Sequence, residues 1–287
     1  MKPLLAELLD CLDLAAQGED RFRGRCEYGR NGRIFGGQVV AQALMAAGRT
    51  VTDRPAHSLQ ALFLRMGDPE ESIEFEVERL RDGRSFAARR VLARQRAGVI
   101  FSLQASFHAL EPGFEHQLPA PQAPDPDTMP TAQSVAKRAR AHIPPETAAW
   151  ACRERPVEIR HTVLPSYLGG EASHEPNLAW FRFEAELPKD PLLHQCLLAY
   201  ASDIALNDTA YRPHCGPESP GLAAMSSVDH SLWFHVPARA DTWTLYQQQS
   251  PRAAGARGYA NGAMFEQDGS RIASVGQDSV MRPAAPG

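Results

Sequence analysis

A chain of 287 residues, 43% hydrophobic and 22% charged, holds enough apolar material for one large domain or two similar smaller ones. Its formal net charge of -4 excludes the strongly basic surface that a nucleic-acid binder needs. Cys11, Cys26, Cys152, Cys196 and Cys215 are odd in number and form no C-x-x-C pair, which points to a reducing compartment and away from a disulfide frame or a zinc site.

The first segment, LLAELLDCLDLAA, is interrupted by Glu7, Asp10 and Asp13, which a secretory signal core would not tolerate. No later run is apolar for long enough to span a bilayer, and the closing PAAPG is no peroxisomal address. The expectation is a cytoplasmic protein with no nucleic-acid partner and no membrane insertion.

Apolar residues at helical spacing predict a helix over Gly36 to Val51, followed by a strand over His57 to Arg65. Alternating apolar and polar residues then predict a meander that turns at Asp82-Gly83 and Ala97-Gly98. From Pro119 onward Pro121, Pro124, Pro126 and Pro130 crowd together, so this stretch is expected to carry no helix and to run as a surface linker. Order resumes near Val157. Asp190 is a helix cap with Pro191 in the first turn, ahead of the apolar run to Asp203. Strand patterns follow, with a turn at Asp268-Gly269, and the tripeptide His-Ser-Leu recurs at His57 and His230.

One helix and one antiparallel meander, twice over, argue for a duplicated α+β unit. The expected division is an N-terminal repeat over 1–118, a Pro- and Ala-rich linker over 119–150 and a C-terminal repeat over 151–287. A helix apolar on more than one face would be wrapped by its sheet.

Several hydrolase motifs are absent: there is no G-x-S-x-G, no P-loop, no G-x-G-x-x-G and no H-E-x-x-H. Gly36-Gly37 opens an apolar helix whose free N–H groups could hold a carbonyl oxygen or a phosphate, but taken alone the pair reads first as two small residues permitting a tight entry turn. The arginines between Arg79 and Arg96 fall on alternating strand faces and read as a solvated surface, with contact to a strongly anionic phosphate group as the lesser alternative. His57 and His230 read as structural histidines, and Cys196 as core.

Eight colinear blocks carry a resemblance: FGGQVVAQAL, HSLQALFLRMGD, LRDGRSFAARRV, GFEHQ, YASD, VDHSLWFH, ARGYANG and ASVGQDSVMR. In order and spacing they resemble the acyl-CoA thioesterase II family, from about Phe22 to Arg282. The resemblance implies a double hotdog, α+β, that hydrolyses fatty acyl-CoA to fatty acid and CoA without metal or prosthetic group. It further implies three site residues from the later repeat that hold the attacking water: Asp203 of YASD, Ser227 of SSVDHS and Gln277 of ASVGQ. Two departures are visible. Ser227 stands where many relatives carry Thr, which keeps the hydroxyl but frees its rotamer, and Met66 stands where they usually carry Pro.

A thioester carbonyl is already electrophilic, so the chemistry needs a positioned, partly deprotonated water. Asp203, late on an apolar helix, would act as base with its pKa raised by burial, while Ser227 and Gln277 orient the water. The oxyanion donor is left open between a backbone N–H and the Gln277 amide. The helix over Gly36 to Thr50 holds no acid, so the first repeat is expected to serve as a wall of the acyl tunnel, with Phe35, Leu44, Leu62 and Phe63 as candidates. Exposed strand edges favour a homo-oligomer, a dimer or tetramer. Two other readings use the same frame: an enoyl-CoA hydratase or dehydratase, disfavoured because Asp208 stands where its His would fall, and a non-catalytic acyl-CoA binding module.

Overall fold

The computed structural model describes residues 2–26 and 32–285. Its first half runs α1 (Pro3–Leu12), β1 (Ala15–Ala16), β2 (Arg21–Gly24), α2 (Gly36–Gly48), β3 (Ala56–Phe63), β4 (Ile73–Asp82), β5 (Phe86–Gln95) and β6 (Gly98–His108). Two short helices follow, α3 (Ala132–Ala139) and α4 (Pro145–Ala151). The second half runs β7 (Glu158–His161), β8 (Asn177–Arg182), α5 (Pro191–Ser202), α6 (Leu206–Tyr211), β9 (Leu222–Ser227) and β10 (Asp229–Phe234). It closes with β11 (Thr244–Ala254), β12 (Arg257–Glu266) and β13 (Arg271–Pro283).

All of these strands join one antiparallel sheet. Its order contains the same path twice, β2-β4-β5-β6-β3 and then, in mirror sequence along the sheet, β10-β13-β12-β11-β8. The two paths meet where β3 pairs with β10, Leu59 opposite Leu232 and Ala61 opposite His230. β9 leaves the main path to pair with β13, which sets Ser227 opposite Ser279.

The reason for the wrapping lies in the helices. Every residue of α2 from Gly37 to Gly48 is buried, and so are Cys196 to Ser202 of α5. Helices apolar all round must be covered all round, and a curved sheet provides that cover. α2 and α5 lie antiparallel and very close. A Cβ on Gly37 would stand 2.3 Å from the Tyr200 carbonyl oxygen, and one on Gly48 would stand 2.3 Å from Leu192 Cδ1 at the opposite end. Asp190 caps α5 as expected, its carboxylate accepting from Leu192 N at 3.0 Å.

Some expectations change. α2 ends at Gly48 rather than Val51. The Pro-rich stretch is free of α-helix only as far as Pro130; α3 then starts under a Thr131 cap, and α4 carries Pro145 in its first turn, where the missing N–H costs nothing. Arg89 is not solvated: it is 1% exposed and donates to Thr50 O, Thr50 Oγ1, Arg81 O and Asp82. Of the four tunnel-wall candidates, Leu44 is sealed in the core and Leu62 faces outward, whereas Phe35 and Phe63 do border a cavity. No helix among the described residues is long and apolar enough to cross a membrane.

Candidate active site

Asp203 stands at the C-cap of α5, directly against the N-terminus of α2. Its Oδ2 accepts from Gly37 N at 2.9 Å. A Cβ on Gly36 would lie 2.7 Å from that same oxygen, so the glycine pair is what lets the carboxylate approach the helix end. The N–H groups at a helix start favour an anion, and here the anion is a side chain 166 positions away in sequence.

The end of α5 is held by side chains of β11. Tyr246 OH donates to Ser202 O at 2.8 Å, and Gln248 Nε2 donates to Ile204 O at 2.7 Å, satisfying carbonyls that the helix leaves unpaired. Asp203 is thereby fixed in space. Its other oxygen, Oδ1, is buried and receives no hydrogen bond from any described residue.

Ser227, at the end of β9, and Gln277, within β13, join it from the sheet side. Gln277 Nε2 donates to Ser227 Oγ at 3.0 Å and to Asn207 Oδ1 at 3.1 Å. Gln277 Oε1 lies 2.8 Å from His230 Nδ1, and the other ring nitrogen of His230 lies 2.7 Å from Ser202 Oγ. The three residues expected from the sequence are therefore brought together. They are not equivalent: Asp203 and Ser227 border the cavity, whereas Gln277 is 1% exposed and stands behind Ser227.

Burial pushes the Asp203 carboxyl up from 3.8 to about 7, partly offset by hydrogen bonding from Gly37 N–H, Ser227 and Gln277. Ser227 and Gln277 are thus near enough to be felt by the carboxylate, yet neither closes a hydrogen bond to Oδ1. Burial also drives His230 down to about 4, so at neutral pH its ring is uncharged. Cys196 is fully buried with its thiol pushed well up, in keeping with a core residue.

The cavity has a volume of about 940 Å³ and is bordered by both halves of the chain. Phe35, Val39, Phe63 and Phe101 come from the first, Tyr200, Asp203, Asn207 and Ser227 from the second. The segment between them forms a further wall through Ala132, Ala136, Trp150 and Ala151. Trp150 packs edge-on against Tyr167, ring centroids 4.8 Å apart. Such a size and mostly apolar lining suit a ligand with a hydrocarbon part.

The Gly36-Gly37 pair serves both as the close-packed helix entry that the sequence suggests and as a donor site, and the group it meets is a carboxylate of the protein itself. The sequence also did not single out the polar groups around Gln277. Asn207 lies on a helix too short to show a period, and Ser279 looks like any strand hydroxyl.

Comparison with known proteins follows the same lines. Residues 148–280 match the family model described as acyl-CoA thioesterase, and residues 27–108 match the acyl-CoA thioesterase N-terminal domain. The chain is 38% identical to human acyl-coenzyme A thioesterase 8, over 94% of this chain and 87% of that protein. It is 37% identical to acyl-CoA thioesterase 2 of Haemophilus influenzae, over 98% of this chain and 99% of that one. Among solved structures it is similar to the acyl-CoA thioesterase II TesB2 of Mycobacterium marinum, with 37% identity, a TM-score of 0.78 and 98% of both chains covered. An Alicyclobacillus acidocaldarius protein with a hot dog fold, 19% identical, has a TM-score of 0.76 over 98% of both chains and shares the fold. With both family models matched in order along one hotdog-type α+β sheet, the chain belongs to the acyl-CoA thioesterase family.

Proposed function

We propose that this chain hydrolyses fatty acyl-CoA to fatty acid and CoA by direct attack of a water that Asp203 activates. The observation that carries the reading is the unshared Asp203 Oδ1, buried at the cavity wall on a carboxyl whose pKa is about 7. A base poised near the working pH combines a useful ionised fraction with a useful affinity for the proton. Ser227 Oγ already accepts from Gln277, so its own hydrogen is available to the water or to the carboxylate. Gln277 acts from behind, orienting Ser227.

In the reaction the water oxygen bonds to the thioester carbon while its proton passes to Asp203 Oδ1. The tetrahedral intermediate then collapses, the C–S bond breaks, and the CoA thiolate takes a proton from Asp203. No covalent enzyme intermediate is formed. The hydratase alternative would require a histidine acting together with Asp203: His230 is held at both ring nitrogens by Gln277 and Ser202, and His161, which borders the same cavity from β7, makes no hydrogen bond to Asp203 Oδ1.

The test is thiol release across a ladder of short to long acyl-CoAs with wild type and Asp203→Asn. Loss of turnover with intact substrate binding is expected of the variant; an unchanged rate would refute the assignment. Single turnover in oxygen-18 water should place the label in the fatty acid and leave Asp203 unlabelled. A homo-oligomer, dimer or tetramer, in the cytoplasm is the accompanying expectation; outward-facing Leu62 and Trp233 on the paired central strands favour association, which light scattering would measure.

A further inference from the structure

Gln277 is not placed to stabilise the developing oxyanion. Its two amide hydrogens are directed at Ser227 Oγ and Asn207 Oδ1, and the residue is sealed from the cavity. Asn207, by contrast, borders the cavity. Its Oδ1 faces inward and is taken twice, by Gln277 Nε2 at 3.1 Å and by Ser279 Oγ at 2.6 Å. With the oxygen tied down on the protein side, the amide nitrogen has to point the other way. No described residue accepts a hydrogen bond from Asn207 Nδ2.

The backbone supports the same placement. Ala205, between α5 and α6, adopts φ 67°, ψ -3°, a left-handed conformation that a residue with a Cβ takes only at a cost of about 1 kcal/mol or more. That turn separates α5 from α6 and leaves Asn207, like Asp203, on the wall of the same cavity, where Asn207 and Ser227 flank a single amide group.

Resting on the hydrolytic reading above, we propose that Asn207 is a further catalytic residue, whose Nδ2 donates to the thioester carbonyl oxygen as it becomes an oxyanion. The amide orientation follows from the far end of the network. Gln277 must turn its nitrogen, not its oxygen, toward the Asp203 carboxylate. Its Oε1 then faces His230 Nδ1, which carries the ring's single proton, and Ser202 O–H, 2.8 Å from Ala199 O and 2.7 Å from His230 Nε2, donates to the ring rather than to its own helix. A chain of fixed dipoles thus runs from His230 through Gln277 to Asn207 and ends in free N–H groups at the cavity. Donors held in place before the reaction are worth most when charge develops.

Asn207→Ala should lower kcat by about 10²-fold or more with KM changed only a few-fold. The acidic limb of its pH profile should stay where wild type has it, because the base is untouched. A role confined to propping Gln277 would instead move that limb. Asn207→Asp keeps the Oδ1 acceptor for Gln277 and Ser279 but removes both N–H donors. On the high-pH plateau it should be as impaired as the alanine variant, and a near-normal kcat there would overturn the proposal. Nitrogen-15 spectra of labelled wild-type protein should show His230 protonated at Nδ1. Protonation at Nε2 would turn both amides over, present Asn207 oxygen to the cavity and overturn the proposal without any rate measurement. Asp203→Asn serves as the reference. If it is inactive while Asn207→Ala is at the wild-type rate, this inference alone fails; if Asp203→Asn is itself active, the hydrolytic reading fails and this one with it.

Discussion

Gly37 N–H donates to Asp203 Oδ2 at 2.9 Å, a bond from the first turn of one central helix to the C-cap of the other. The carboxylate proposed as base is thus shared between the two halves: one supplies the acid, the other the helix start that holds it. This is why a repeat without any acid on its own helix is still part of the site.

Gly36 and Gly37 should respond differently to alanine. At Gly36 the new Cβ meets the Asp203 carboxylate at 2.7 Å, and a displaced base is expected to lower kcat by about 10-fold or more with the circular dichroism spectrum unchanged. At Gly37 it meets the backbone carbonyl of Tyr200 at 2.3 Å, which cannot yield without parting α2 from α5. Chemical denaturation of Gly37→Ala should show a loss of about 1–3 kcal/mol or more, as overpacking does.

Asp203 fixes the pH dependence. With its carboxyl at about 7, activity should fall about tenfold per pH unit below that value, because the protonated acid cannot take a proton from water. A profile of kcat/KM against pH measures it, and a limb near the ordinary carboxylate value of 3.8 would contradict the burial argument.

The same shift predicts a stability effect of definite sign. Between pH 3.8 and about 7 the folded protein keeps the Asp203 proton while the unfolded chain has released it. The contribution of this group to stability is therefore full below 3.8 and is lost as the pH rises through about 7. Asp203→Asn, which cannot ionise, should gain on wild type more at pH 8 than at pH 5. Urea unfolding at the two pH values reads the difference.

At Ser227 the hydroxyl is what matters. Ser227→Ala should cost about 10–10²-fold in kcat, since Gln277 loses an acceptor and the water a donor. Ser227→Thr restores the β-branched form and should remain close to wild type.

Arg89 offers a test remote from the chemistry. Replacing it with Met removes donors from Thr50, Arg81 and Asp82 inside the protein and should destabilise by about 3 kcal/mol. Its kcat should be unchanged at temperatures where the variant is folded.

The periodicity of α2 and α5, the Asp190 cap and the turns at Asp82-Gly83 and Asp268-Gly269 were legible in the amino-acid order, because each depends on neighbours a few positions away. So was the placing of Asp203, Ser227 and Gln277 in one family pattern. What the order could not reveal is every relationship that spans the chain. Arg89 shares its local pattern with exposed arginines and differs from them only because Thr50 after α2 and the end of β4 accept from it, and the stretch after Pro130 forms α3 and α4, which become a cavity wall. The bond from Gly37 to Asp203, and the path from His230 through Gln277 to Asn207, join residues on separate strands and helices. Local preference cannot specify such contacts; they exist because two buried helices pack antiparallel inside one continuous sheet, and that packing is decided only when the whole chain folds.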